Sequence, residues 1–243
     1  MLKLISCLGL WISFSVQASN TDPIQLLDQI ETIHRSDSSY AEIQMIIKTP
    51  DWERKLSLSS WSLGDDYALI RILKPRKDKG VSTLKRKLEM WNYFPKINRE
   101  IKVPPSMMMG SWMGSDFSND DLVKQTKLSD EYNISLKEDQ NNYHLSLIPK
   151  KETITVWGKI AILIEKANKL PLKYTYFDEH GKKSREMIFS KSLKFGDKTL
   201  PSVLIVKNLS KPGHSTQIIY EKLKFNVKVE QSFFSLHNLK KKI

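Results

Sequence analysis

Residues 91–123 read WNYFPKINREIKVPPSMMMGSWMGSDFSNDDLV, and the rest of the chain is organised around them. Methionines and aromatics crowd this stretch beside Pro104, Pro105, Gly110 and Gly114, which interrupt any regular element. Methionine is flexible and polarisable, so such a segment suits a surface that repacks around an irregular apolar partner. The plainer reading makes Met107, Met108, Met109, Trp112, Met113 and Phe117 ordinary core, since methionine often fills gaps in cores.

On either side of this stretch the hydrophobic period is two. Ile43, Met45 and Ile47 alternate with Glu42, Gln44 and Ile46, and Leu56 and Leu58 with Ser57 and Ser59, as strands with one buried face require. Further strands are expected at 67–73, 82–86, 88–94 and 100–103, and, after the interruption, at 132–137, 143–148, 159–165, 172–177, 184–192, 203–208 and 215–226. Asp178-Glu179-His180-Gly181 and Gly196-Asp197-Lys198 read as hairpin turns.

Helices are few. Asp22 is placed to cap a helix with Pro23 at its first position, and Leu26, Leu27, Ile30 and Ile33 form an apolar stripe. Ser118 is spaced to cap a short helix over 119–125 through Asp121, and residues 233–239 suggest a terminal turn of helix. So many strands with so little helix predict one mainly β, antiparallel domain, strongly curved, with the first helix and the 119–125 segment closing its concave side. Periodicity alone leaves sandwich, closed barrel and half-barrel open.

The first residues read as a targeting signal. Lys3 precedes an apolar run over 4–16, and Val16-Gln17-Ala18 offers a cleavage site, so residues 1–18 are expected to be a signal peptide and 19–243 the mature domain. The run is well short of the ~20 residues of a spanning helix, and Cys7 comes too early for a lipoprotein signal. Cleavage would remove the single cysteine, leaving a domain held by its core alone and without thiol chemistry. The formal charge of +12 attracts anionic partners. With export and no nucleic-acid motif, lipid headgroups or an acidic protein fit better than nucleic acid.

Catalytic signatures are missing: there is no G-x-S-x-G elbow, no H-E-x-x-H, no P-loop and no dinucleotide fingerprint. The histidines are scattered, and Asp116, Asp120 and Asp121 lack the alternating ligands of a calcium loop. Helix capping accounts for Asp120 and Asp121. No enzyme activity, catalytic residue, metal site or cofactor is expected.

Lys79-Gly80, the run EMWNYFPK over 89–96 and PSMMMGSWMGSDFSNDDL over 105–122 resemble the outer-membrane lipoprotein-sorting family, whose fold is LolA-like. Met113-Gly114-Ser115-Asp116-Phe117 with the acidic Asp121-Leu122 behind it is the most specific part, and the likeness continues through Leu200-Pro201, 213–220 and 234–239. It implies an incomplete antiparallel β-barrel whose concave face is capped by helices and loops around an apolar cavity. It also implies a periplasmic, non-enzymatic carrier for lipoprotein acyl chains or lipid, working with an inner-membrane transporter and an outer-membrane acceptor. The alternative is an envelope module that docks on a membrane transporter through an exposed Met/Trp loop. Candidate lipid-binding residues are Trp91, Tyr93, Phe94, Met107, Met108, Met109, Trp112, Met113 and Phe117.

Overall fold

The structure, a computed structural model, describes residues 21–34, 36–123 and 127–242. The expected signal peptide, residues 1–18, lies outside the described residues. The described residues open with α1 (Pro23–Glu31), where the Asp22 carboxylate accepts a hydrogen bond from the Ile24 N–H and Leu26, Leu27 and Ile30 are buried.

Among the described residues, thirteen strands follow. The first six are β1 (Ser38–Lys48), β2 (Glu53–Leu63), β3 (Tyr67–Lys74), β4 (Ser82–Arg86), β5 (Glu89–Phe94) and β6 (Arg99–Lys102). After two short helices, α2 (Asn119–Val123) and α3 (Leu128–Glu131), come β7 (Tyr132–Glu138), β8 (Asn142–Pro149), β9 (Lys159–Glu165) and β10 (Leu170–Phe177). The last three are β11 (Lys183–Phe195), β12 (Lys198–Asn208) and β13 (Ser215–Phe225), before a final turn of helix, α4 (Leu236–Leu239). Each strand expected from the period-two pattern is present, with ends shifted by a few residues as strand ends usually are. The sequence did not signal α3 separately.

All thirteen form one antiparallel sheet, in the order β6-β5-β4-β3-β2-β1-β13-β12-β11-β10-β9-β8-β7. The chain therefore walks from β1 out to the edge strand β6, passes to the opposite edge at β7, and walks back until β13 pairs with β1, with Met45 opposite Ile218. The sheet does not close into a barrel. This is the half-barrel expected from the resemblance.

Cross-strand register shows how the faces are built, because directly paired residues point to the same side. One apolar row runs Leu56, Met45, Ile218, Leu204, Phe189. Met187, two residues from Phe189 and so on the same side, continues it through Tyr174, Ile162, Leu145 and Leu136. This inner face is covered over β7–β10 by α1, whose Leu26, Leu27 and Ile30 pack on Leu145, Ile162 and Tyr174. Over β1–β3 and β13 it is covered by the connection leading to α2. The outer face carries the row Tyr40, Trp61, Leu69, Leu84, Trp91, and the C-terminal segment lies on it with Phe234 and Leu239 buried. Arg71 fastens that segment by donating to the Asn238 carbonyl.

Candidate functional site

The connection from β6 to β7 begins at one edge of the sheet and ends at the other, so it has to cross a face, and it crosses the inner one. Two 3-10 turns, Pro105–Met107 and Trp112–Gly114, bend it. Met113 takes a left-handed φ of 53°, uncommon for a residue other than glycine.

Polar bonds tie this crossing to the sheet. The buried Trp112 indole N–H donates to the Thr83 hydroxyl at 3.1 Å, and that hydroxyl donates to Asn92 Oδ1 at 2.6 Å. The Thr216 hydroxyl donates to Asp116 at 2.8 Å and accepts from the Asp116 N–H at 2.9 Å. Arg54 Nη1 donates to the Met113 carbonyl at 3.2 Å, and the Asn119 amide donates to the Met107 carbonyl at 3.0 Å.

At the head of α2 the expected capping box is formed: the Asp121 N–H donates to the Ser118 hydroxyl at 3.0 Å, and the Ser118 N–H donates to Asp121 Oδ2 at 2.7 Å. The other oxygen of Asp121 accepts from Arg185 Nη1 at 3.0 Å. Arg185 belongs to β11 and faces inward beside Tyr176 of β10. The Arg185 guanidinium lies 5.8 Å from the Phe117 ring and 5.5 Å from the Tyr176 ring. Burial is the largest influence on its pKa and lowers it, yet attraction to Asp121, helped by Tyr176 and Asp116, more than offsets this and keeps Arg185 above its ordinary value. Burial pushes the phenols of Tyr174, Tyr176 and Tyr220 up.

Between α2 and the β2–β3 turn the described residues leave a pocket of about 200 Å³ whose wall includes His34, Asp65, Lys85 and Asp121. That is smaller than the roughly 300–1,000 Å³ of ordinary ligand pockets. The His34 ring stacks on Tyr220 at 5.3 Å, and its Nε2 is 3.0 Å from the Pro201 carbonyl. Burial lowers its pKa below the ordinary 6.5. A larger groove of about 790 Å³, lined by Tyr40, Trp61, Phe233 and Lys228, lies on the outer face beside the C-terminal segment.

The nine candidate residues fall into separate groups. Trp112, Met113 and Phe117 come together on the inner face against Met45, Leu56, Leu58 and Ile218. Met108 packs on Met90, Val103 and Val123. Met107 and Met109 are 60 % and 61 % exposed. Trp91 and Tyr93 are on the outer face under the C-terminal segment, apart from the others, and Phe94 is half-buried at the end of β5. The expected exposed Met/Trp loop is therefore exposed only at its methionines. Trp112 is 4 % exposed, because its indole ring fills the gap between the crossing and the sheet while its N–H finds Thr83.

Sequence reasoning passed over Arg185, although a signal was there. In the strand expected at 184–192, Arg185 occupies the same side as Met187 and Phe189, so a charge was due on the apolar face.

This architecture places the chain among LolA-like half-barrels. A family model described as "Uncharacterized protein" matches residues 64–241, and the chain belongs to that family. No curated protein matches the chain. A solved DUF1329 family protein from Desulfovibrio piger is similar at 25 % identity and a TM-score of 0.78, over 90 % of this chain and 100 % of that one. An outer membrane lipoprotein-sorting protein domain from Vibrio parahaemolyticus is similar at 21 % identity and a TM-score of 0.76, covering 90 % and 98 %. A LolA superfamily protein from Nitrosomonas europaea follows at 15 % identity and a TM-score of 0.72, covering 90 % and 99 %.

Proposed function

We propose that the chain is a non-enzymatic periplasmic carrier that takes acyl chains of a lipid or lipoprotein onto its inner face and moves them toward the outer membrane. The observation that carries this reading is the cover of that face. An apolar row spanning the sheet is shielded by one nine-residue helix and an irregular crossing, with no second sheet over it among the described residues. Such covers separate from the sheet more readily than a packed second layer, since they share few contacts with one another. Each buried CH₂ of an acyl chain contributes about 0.8 kcal/mol, so a chain can replace the cover side chains it displaces.

The signal pattern over 1–18 and the fold shared with a lipoprotein-sorting domain support the periplasmic setting and an exchange between an inner-membrane transporter and an outer-membrane acceptor. Native mass spectrometry with lipid extraction, on protein purified from the periplasm, tests the reading. Bound lipid or acylated peptide is expected; a mass that stays unliganded after lipids and acylated peptides are offered would sink it.

A second reading, docking on a membrane transporter, draws on the exposed Met107 and Met109. Replacing both by serine should then weaken association with inner-membrane vesicles while lipid uptake persists.

A further inference from the structure

Arg185 is placed and oriented for a task that its ion pair does not use. Its side chain stands at an inward position of β11 between an apolar row and the crossing, and Asp121 engages Nη1 alone. Nε and Nη2 are buried and have no hydrogen-bond partner among the described residues. These two N–H groups form one edge of the planar guanidinium, the side-on fork whose spacing matches two oxygens of a carboxylate or phosphate. Asp121 does not reach that edge, because its second carboxylate oxygen is held by the Ser118 N–H. The Tyr176 hydroxyl does not turn to it either, since it donates to Met187 Sδ at 3.3 Å. The rings of Phe117 and Tyr176 flank the group, and the buried Nε–Nη2 edge is left without an acceptor among the described residues, so a ligand reaches it only when the crossing lifts from the sheet. A buried donor without a partner is costly, more so when charged, and a charge-assisted pair of hydrogen bonds removes that cost.

We infer that the Nε–Nη2 edge of Arg185 is the seat of an anionic headgroup, a phosphate or carboxylate, whose attached apolar chain lies along the inner face. The inference rests on the carrier reading and narrows it to amphiphiles with a two-oxygen anion. The chain would run from the fork past Met187, Phe189 and Tyr174, which share the inner side of β11 and β10. Asp121 and Asp116 both oppose a second anion here, and the two charge-assisted hydrogen bonds to the otherwise unpaired edge have to offset that repulsion.

Calorimetric titration of the mature protein with decyl phosphate, 1-decanol and inorganic phosphate tests this. Decyl phosphate should bind roughly 10- to 100-fold more tightly than 1-decanol, the gain expected of a bidentate charged pair, and inorganic phosphate more weakly than either. In R185K, which keeps the charge without the fork, the ratio of decyl phosphate to decanol affinity should fall toward one. The Arg185 Nε–H resonance of the unaltered protein should shift on adding decyl phosphate, so the outcome stands even if R185K folds poorly. Equal affinity for phosphate and alcohol, or an unmoved Nε–H resonance, overturns the headgroup site and leaves the carrier. Inorganic phosphate binding as tightly as decyl phosphate overturns the amphiphile assignment. Binding of neither chain removes the carrier reading and this site together.

Discussion

α1 and the 104–123 crossing cover two parts of the same inner face by different means. α1 is a capped amphipathic helix that lays three adjacent apolar residues on β7–β10. Its own backbone groups are satisfied within the helix and by Asp22. The crossing has almost no regular structure, so its backbone and side chains are held one at a time by Thr83, Thr216, Arg54 and Arg185. A helix docks through apolar area and is indifferent to small shifts; a loop pinned by directed hydrogen bonds sits in one place or lets go. The crossing is thus the better candidate for a cover that opens.

Substitutions in the two covers put this contrast to the test. Trp112→Ala should have the largest effect, a loss of about 3–5 kcal/mol in urea denaturation, because one side chain both fills the interface and holds the bond to Thr83. Leu27→Ala, wholly buried in α1, should cost about 2–4 kcal/mol, and a cost clearly above that of Trp112→Ala would reverse the ranking of the two covers. Asp121→Asn should cost about 1–3 kcal/mol, by removing the charge that balances Arg185. It should also speed amide exchange in 105–123 while leaving α1 protected; equal acceleration in both would show that they open as one unit.

Asp22→Ala, loss of the α1 cap, should cost about 1 kcal/mol and show in the exchange of α1 alone. The smallest effect belongs to pH at the seam between the covers. Burial holds the folded pKa of His34 below its ordinary 6.5, so the unfolded chain takes up the proton first as pH falls. Stability should be fully present above about pH 6.5 and decline toward pH 5. His34→Gln should flatten that part of the urea-midpoint profile against pH, and an unchanged slope would place the titrating group elsewhere.

Local pattern and long-range placement divided what could be read in advance. The strands, the Asp22 cap, the Ser118–Asp121 box and the turn at Gly181 were legible, because each depends on residues within one or two turns of chain. The nine candidate residues were less so. Composition marked 105–117 as special, yet it could not say that Trp112 turns in, that Met107 and Met109 turn out, or that Trp91 and Tyr93 take the other side of the sheet. Arg185 was passed over although its place in the expected strand marked an inward charge, and its partner Asp121, 64 residues earlier, is set by the fold alone.

The sequence by itself determined that this is a strand-rich chain with one amphipathic helix near its start and an irregular, methionine-rich interruption at its middle. Alternation, capping and chain-breaking residues act over a few neighbours and need no fold to be read. Only the tertiary structure decided that β1 pairs with β13, that β6 and β7 become opposite edges, and that the interruption must therefore cross the inner face. Strand pairing is chosen by the burial of whole faces across distant segments, and side-chain alternation carries no label for the partner.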